Sequence, residues 1–583
     1  MQITASRPAA SLSPQEVTEG KASYKGLVLF IFFVICALIV TVLDRPPGAL
    51  PEQASLSVFS AERAARHLAI IGRAPHPINS PEHDVVRDYI LRTLRELGLT
   101  PEVQRTTDVN ERYGITGALE NIVCRLKGSS QDKAVLLVAH YDSVAAGPGV
   151  SDDGVAVAAF LEGARILKSL PQLKRDVIFL FTDGEEEGLL GARAFVSEHP
   201  WAHDVGFVLN FEARGTTGPS IMFETSDENG WLIRNFGQAA SHPVANSLSY
   251  EIYKRLPNNT DFTIFRRAGY AGLNFAFIDG LAYYHTSRDS LQNADHGSLQ
   301  HHGDYVVELA RQFGNAGSDD PRPGNVVYFD VLGRVLVRYG QGIAVFLLAL
   351  TGVLVAFTLY LGHRKECMQI GNCLLGLVAM LAGVVVTVLG AAAASWLTAA
   401  LRPYSSGIRA GLLYEGGWYI LAFSAVGLAC GAAFYLAISK RIGSENLVAG
   451  GFAGWIGLII AVSIYFPGGS YLFLWPLLFS VLGWIAVFAR RQTSADKGTV
   501  LLALSSIPAI VVMVPMIHKI FFAFASQSTL MVSALLGLLL SLLIGQIAAT
   551  TSSKRWLLPL LLVTVGLGLF IIAVSLSGVP VNG

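Results

Sequence analysis

A few short strings in this chain carry side chains that could bind and activate a metal. They are His140-Tyr141-Asp142, Ser151-Asp152-Asp153-Gly154, Asp183-Gly184-Glu185-Glu186-Glu187-Gly188 and Tyr284-His285, with Glu212 between the last two. Imidazole nitrogen and carboxylate oxygen are zinc ligands, and a catalytic zinc keeps one position open for water. A centre with two ions about 3.5–4 Å apart needs a carboxylate that can bridge, terminal ligands for each ion and a base nearby. The strings supply that inventory. Taken singly each has a plainer reading, because paired acids after a strand usually form a solvated turn and an isolated histidine is usually a satisfied polar group. Their shared placement is what favours chemistry.

That placement follows from the runs that precede them. Val135-Leu136-Leu137-Val138-Ala139 leads into His140, and Val177-Ile178-Phe179-Leu180-Phe181 leads into Thr182-Asp183. Phe207-Val208-Leu209-Asn210-Phe211 ends at Glu212, and Leu273-Asn274-Phe275-Ala276-Phe277-Ile278 ends shortly before Tyr284-His285. Short unbroken apolar runs read as strands buried on both faces. Gly154–Leu170, Leu189–His199 and Asp227–His242 read as helices between them. The alternation predicts an α/β domain with a mixed, largely parallel sheet sandwiched by helices. Ligands of such sheets bind outside the carboxyl ends of the strands, so four strand ends converge on one rim. Upstream, Ser60 and Ser80 are candidate N-caps, the second followed by Pro81 at the first helical position. Val85, Tyr89, Ile90, Leu94 and Leu97 give the helix after Ser80 an apolar face.

Of the five cysteines, Cys36, Cys124, Cys367, Cys373 and Cys430, only Cys124 falls in this half of the chain. That excludes an internal disulfide and a thiolate zinc site there, so any metal is held by histidine and carboxylate. Lys and Arg (43) balance Asp and Glu (43), and nothing points to nucleic acid as a partner.

The rest of the chain is a series of apolar runs near the ~20 residues a membrane-spanning helix needs. The expected layout is a cytoplasmic tail at 1–25, a signal-anchor helix at 26–43, the soluble domain at 45–320 and an all-α polytopic transmembrane domain at 340–583. A Pro/Gly-rich linker at 316–325 joins the last two. Eight further spans are expected at 341–361, 371–397, 411–438, 446–466, 470–489, 499–517, 527–548 and 556–577. The first apolar segment is longer than the 7–15 residues of a signal-peptide core, and Asp44-Arg45-Pro46-Pro47 follows it instead of a cleavage site. With a cytoplasmic N-terminus, the inside loops carry Arg364-Lys365, Lys440-Arg441, Arg490-Arg491-Lys497 and Lys554-Arg555. The short outside loops carry only Arg402, Arg409 and Lys519. The positive-inside rule then places the soluble domain and the C-terminus on the non-cytoplasmic side, in a periplasm or an organelle lumen. Ionisable residues are confined to span ends, at Glu415 and His518-Lys519, which favours anchoring over transport. Gly450, Gly451, Gly454 and Gly457 anticipate close helix packing.

The strings above, together with Asn210-Phe211-Glu212-Ala213-Arg214-Gly215, Tyr284-His285-Thr286-Ser287-Arg288-Asp289-Ser290, Pro75-His76-Pro77-Ile78-Asn79-Ser80 and Asn259-Thr260-Asp261-Phe262, resemble metallopeptidase family 28. The layout resembles its membrane-bound branch of endoplasmic-reticulum and vacuolar peptidases. The resemblance implies a zinc-peptidase domain with two zinc ions per chain. His140 and Glu212 would be terminal ligands of one zinc, Glu186 and His285 of the other, and Asp153 would bridge them. Glu185 would be the general base and Asp142 would fix the His140 tautomer, while Asp152 would orient backbone only. The family often has Asp at the position of Glu212, and the longer arm changes reach but not charge.

The implied activity is peptide-bond hydrolysis, most simply as an aminopeptidase, with a peptide substrate and the lipid bilayer as partners. A carboxypeptidase, another amide hydrolase or a glutaminyl cyclase of the same fold are the alternatives, cyclases of the family working with one zinc. A metal-free assembly protein or a transporter stands further off, since no ligand is missing. His199 and His203 are read as surface residues because Pro200-Trp201 interrupt their helix, and His301-His302 as unrelated to metal. Glu187 is read as solvated or as a salt-bridge partner. Tyr283, Tyr284, Arg288 and Asp289 either line the substrate pocket or support His285.

Overall fold

A computed structural model describes residues 25–110, 114–317, 324–401, 416–489, 495–524, 528–550 and 556–577. The expected tail through residue 24, the middle of the 316–325 linker, and Arg402, Arg409, Glu415, Arg490, Arg491, Lys554 and Arg555 lie outside these residues.

The four apolar runs become the middle of one sheet. Its strands are β1 (Glu102–Asn110), β2 (Ile115–Leu126), β3 (Ala134–His140), β4 (Val177–Thr182), β5 (Val205–Ala213), β6 (Ile221–Thr225) and β7 (Ala271–Phe277). They lie in the order β1-β2-β4-β3-β5-β7-β6. The block β4-β3-β5-β7 is parallel, and β1, β2 and β6 extend it antiparallel at both edges. Every residue of β3, β4 and β7 is buried, as covered parallel strands require.

Successive side chains of a strand point to opposite faces, and the two faces meet different partners. Val135, Leu137 and Ala139 join one core, while Ala134, Leu136 and Val138 join the other. After α1 (Lys25–Leu43), the helices of the soluble half are α2 (Ala61–Ile71), α3 (Pro81–Glu96), α4 (Val155–Ser169), α5 (Leu190–Glu198), α6 (Gly230–Ala239), α7 (Ser247–Tyr253), α8 (Asp261–Arg267) and α9 (His296–Asn315). α2, α3, α4, α6 and α9 cover the first face, and Ala192 and Phe195 of α5 with Phe262 and Phe265 of α8 fill the second. Both expected caps form. The Ser60 side chain accepts the Arg63 N–H, and the Ser80 side chain accepts the His83 N–H ahead of Pro81, each satisfying an otherwise orphaned donor of the first turn.

Residues between the two expected domains fold as well. β8 (Val326–Val331) and β9 (Val335–Gly340) form a hairpin, and the helix Gln341–Arg364 starts where β9 stops. The hairpin and α7 seat the soluble half on the short connection that follows the helix Ser444–Tyr465. The Phe329 ring stacks on Tyr471 with centroids 4.6 Å apart. The Ser247 hydroxyl donates to the Gly468 carbonyl at 2.6 Å, and Arg255 donates to the Tyr465 carbonyl at 2.8 Å.

Beyond residue 340 the described helices are Gln341–Arg364, Ile370–Leu401, Gly416–Ile442, Ser444–Tyr465, Tyr471–Ala489, Ala495–Phe524, Ser528–Thr550 and Leu557–Ser577. They coincide with the eight apolar runs. Among the described residues, seven helices are long and apolar enough to cross a membrane, and Val28–Leu43 and Ser528–Leu543 are shorter apolar helices. The glycine-rich stretch divides by face. A Cβ on Gly450 would fall 2.2 Å from the Cys373 carbonyl oxygen and one on Gly454 would fall 2.4 Å from the Met380 sulfur, whereas Gly451 and Gly457 meet nothing within 4 Å. Only the first pair makes the expected close approach.

Lys519 is not the loop charge that the apolar run suggested. It lies inside the helix Ala495–Phe524, and its ammonium donates to both carboxylate oxygens of Asp44 at 3.2 and 3.0 Å. The side chains are only 7% and 4% exposed. Removing one partner of a buried ion pair leaves the other charge uncompensated, at a cost of about 3–5 kcal/mol. Asp44→Asn is therefore expected to lower the thermal midpoint of the detergent-solubilised protein clearly. A midpoint equal to wild type would show that the pair carries no stability.

Candidate metal centre

β3 ends in His140, β4 delivers the loop 183–189, β5 carries Glu212 at its penultimate position, and the turn after β7 carries His285. The remaining segment, 150–154, leads into α4 and is wholly buried. These pieces converge at the carboxyl ends of the parallel strands. Two groups of potential ligand atoms form there, His140 with Asp152 and Glu212, and Asp152 with Glu186 and His285, the atoms of each lying within 4.8 Å of one another.

Asp152 is common to both groups. One of its oxygens lies 3.3 Å from His140 Nε2 and the other 3.1 Å from His285 Nε2. Glu212 stands 3.8 Å from His140 Nε2, and Glu186 stands 3.1 Å from His285 Nε2. Asp152, and not the Asp153 expected to bridge, is the carboxylate that faces both imidazoles. The Asp153 carboxylate instead turns back beneath β3, where it accepts the His140 backbone N–H at 3.3 Å. Two adjacent residues of an irregular turn project in different directions, and here it is the first that faces the two imidazoles.

The surrounding groups hold this arrangement. The Asp142 carboxylate accepts the backbone N–H groups of Glu185 and Glu186 at 3.1 and 3.2 Å, so one side chain fixes the start of the acidic loop. His140 Nδ1 faces the Asp142 backbone carbonyl at 3.0 Å, nearer than the Asp142 carboxylate at 3.5 Å. The tautomer is therefore set mainly by main chain. The Asp289 carboxylate accepts the N–H groups of Ser151 and Asp152 at 2.7 and 3.0 Å, so it braces the Asp152 segment, whereas it was expected to line the pocket or support His285. Gly147 lets the 144–150 loop touch the His285 turn, since a Cβ there would fall 2.2 Å from the Thr286 carbonyl oxygen. The Tyr284 ring stacks on His285 at 3.7 Å. Asn210 donates to a Glu212 oxygen at 3.2 Å and to Asn274 at 3.0 Å.

Asp289→Asn leaves one of those two N–H groups facing an amide that donates. Outer partners of metal ligands are typically worth 10–100-fold in affinity, so zinc affinity is expected to fall by roughly that factor. Competition with a zinc chelator measures it, and an unchanged affinity would remove Asp289 from the support of the site.

The charge balance indicates cations. Asp142, Asp152, Asp153, Asp261 and Glu212 are buried around His140, with Glu185 and Glu186 half-buried and His285 partly exposed beside them. Burial first, then the negative charge of Glu212, holds the Glu185 carboxyl well above the usual carboxylate range. Burial, then Asp152, pushes Glu186 up to about 7. Burial likewise pushes Glu212 up to about 8 and raises Asp153 well above its ordinary value. Burial disfavours a charged His285, yet the Asp152 and Glu186 carboxylates outweigh it and raise the ring to about 10. One carboxylate oxygen each of Asp153 and Glu186 is buried without a hydrogen-bond partner among the described residues. Divalent cations that take imidazole nitrogen and carboxylate oxygen, zinc among them, fit this donor set and would satisfy such groups.

The histidines judged unrelated to the metal stand away from it; His203 is exposed as expected, but His199 is not. His199 is buried, stacks on Phe195 and faces Glu102 at 3.0 Å. His301 and His302 are core residues of α9, where they meet the His242 carbonyl and the Ser220 hydroxyl, each at 2.8 Å. Two acids missed by the sequence reading belong near the site. Asp183 is tied to His83 at 2.8 Å, and Asp261 accepts from Thr182 at 2.5 Å. Both lie in strings already singled out, but nothing in their spacing gave them a role.

Residues 121–310 match the sequence profile of Peptidase family M28. The chain is 30% identical over 347 residues to endoplasmic reticulum metallopeptidase 1 of Mus musculus, covering 55% of this chain and 38% of the relative. It is 32% identical over 381 residues to the vacuolar membrane protease of Yarrowia lipolytica, covering 59% of this chain and 38% of that protein. The chain thus spans well under half the length of these relatives. Among solved structures it is similar to an aminopeptidase from Aneurinibacillus sp. strain AM-1, at 14% identity and a TM-score of 0.39, over 46% of this chain and 98% of that one. Residues 121–310, which hold four of the strands that meet at this rim, thus match a peptidase family M28 domain, and the relatives named here are reticulum and vacuolar membrane peptidases, the branch the sequence resembles.

Proposed function

We propose that the protein is a membrane-anchored dizinc metallopeptidase that removes N-terminal residues from peptides. The observation carrying this reading is Asp152, whose two oxygens face two separate ligand groups in a cavity that Glu185 also lines. In this reading His140 and Glu212 hold one zinc, Glu186 and His285 hold the other, and Asp152 serves both. Bound zinc polarises a peptide carbonyl and makes an adjacent water more acidic.

The chain's own residues do the rest. Asp142 pins the backbone of Glu185 and Glu186, so that base and ligand keep a fixed offset. Glu185 takes the proton of the attacking water and returns it to the departing amine, a transfer worth roughly 10²–10⁴-fold in rate. The buried setting that raises its pKa suits a group that must hold the proton between the two steps. Tyr284, lying flat on His285, fixes the plane of that imidazole.

A second reading has one observation in its favour. Arg214 lines the same cavity, and its guanidinium has no ion-pair partner among the described residues. A cation there could anchor a substrate carboxylate, which is what a carboxypeptidase or dipeptidase needs. The positive-inside pattern supports a catalytic domain on the non-cytoplasmic face in either case.

The test is a panel on the full-length protein in detergent. It contains aminoacyl amides with a free amine, the same amides N-blocked, and blocked peptides with a free carboxylate. Cleavage of free-amine substrates alone, lost on chelation and restored by zinc, is the expected result. Cleavage confined to blocked peptides with a free carboxylate would replace the aminopeptidase reading by the second one. Activity that persists without metal would sink both.

A further inference from the structure

The helix Ala495–Phe524 reaches the catalytic rim. A cavity of ≈ 380 Å³ is lined by Asp152, Glu185 and Glu212 and also by Met516, Ile520, Ala523 and Phe524 of that helix. Its size falls within the ~300–1,000 Å³ of small-molecule sites. Met516, Ile520 and Phe524 are spaced four apart, so they form one stripe along the helix. Met516 and Ile520 are each only 5% exposed. Residues facing lipid would stand open on the helix surface, as Leu504 does at 54% exposed. This stripe instead shares its cavity with Ile252 and Leu256 of the soluble half.

The helix is held in place from two directions. Lys519, one residue before Ile520, is locked to Asp44 at the end of α1. The soluble half is itself pinned to the membrane helices through Ser247 and Arg255. Active-site carboxylates and a membrane helix therefore belong to one packed body. An apolar wall beside a few convergent polar groups is the make-up of a pocket that accepts an apolar side chain.

We propose that the helix Ala495–Phe524 is the specificity wall of the peptidase site, with Met516, Ile520 and Phe524 receiving the large aliphatic or aromatic side chain of the substrate's N-terminal residue. The inference rests on the peptidase reading above. It makes the membrane half part of the binding site as well as an anchor.

The test compares leucyl, phenylalanyl and alanyl amides bearing one fluorogenic leaving group, on full-length protein in detergent, with zinc per chain measured for every variant. Ile520→Trp fills the pocket. It is expected to lower kcat/KM for the leucyl and phenylalanyl substrates at least about tenfold, with the alanyl substrate changed less than about threefold. Met516→Ala enlarges the pocket and is expected to shift the phenylalanyl-to-leucyl ratio upward by about threefold or more. Unchanged zinc and retained alanyl cleavage show that the centre is intact. Should Ile520→Trp fail to fold, Met516→Ala decides. Unchanged ratios in the variants, or equal losses on all three substrates, overturn the proposal while leaving the peptidase reading in place. A wild type without chelator-sensitive cleavage overturns that reading and this inference with it.

Discussion

Glu185→Gln is expected to leave both zinc ions bound and to reduce kcat by roughly 10²–10⁴-fold, the usual contribution of a positioned general base. The substitution keeps the size of the side chain and the backbone N–H that Asp142 accepts, so the loop and the ligand Glu186 stay where they are. What is lost is an atom able to take a proton. An amide oxygen does not relay protons at neutral pH, so the attacking water and the departing amine both lose their partner. KM should change little, because the residues that would hold the metal, and so its contact with the carbonyl, are untouched. Steady-state kinetics with metal analysis on the same preparation measures the split. A variant that keeps more than about a tenth of wild-type kcat would assign the base elsewhere, and one that has lost zinc would make Glu185 a ligand.

A contrast between adjacent residues should be as large. Asp152→Asn is expected to deplete zinc at both positions and abolish detectable turnover, since its two oxygens serve both histidines. Its effect should exceed the 10–100-fold typical of an outer partner. Asp153→Asn alters only an acceptor for the His140 backbone N–H and is expected to stay within that 10–100-fold range. Zinc titration of the two variants side by side distinguishes them. Equal metal loss in both, or greater loss for Asp153→Asn, would return the bridging role to Asp153.

That pair also shows where sequence reasoning stops. The order His140, Asp-Asp, Glu185-Glu186, Glu212, His285 was legible because every piece but Asp-Asp ends or closely follows a buried apolar run, and burial on both faces leaves a strong compositional trace. The choice between Asp152 and Asp153 was not legible. Strand and helix have periods from which a side chain's direction can be inferred, but the segment 150–154 has neither. The sheet edges were missed for a related reason. β1 reads Glu-Val-Gln-Arg-Thr-Thr-Asp-Val-Asn, a half-exposed strand whose apolar content is too thin to register alone. It exists because β2 pairs with it along its whole length.

The membrane half was legible as spans and illegible as a surface. A helix that must satisfy lipid on most sides is apolar all round, so the stripe Met516, Ile520, Phe524 carries no mark separating it from a lipid-facing one. The buried Lys519 was the signal available. An ionisable residue inside an apolar helix implies a partner, and finding Asp44 beside it fixes which way the helix is turned.

The seat formed by Phe329, Ser247 and Arg255 on the connection after Tyr465 bears on how such a hydrolase can be used or shed. A proteolytic nick in the stretch before β8 would not free an independent catalyst, because the lobe would remain docked through α7 and Arg255 and still joined to α1. Forced release would strip greasy surface into water and open the reaction chamber on one flank. Expressing the hydrophilic lobe by itself should therefore give an aggregation-prone and indiscriminate fragment. Turnover by this enzyme would belong to the bilayer's edge, and cargo in free solution would have to come there to be trimmed.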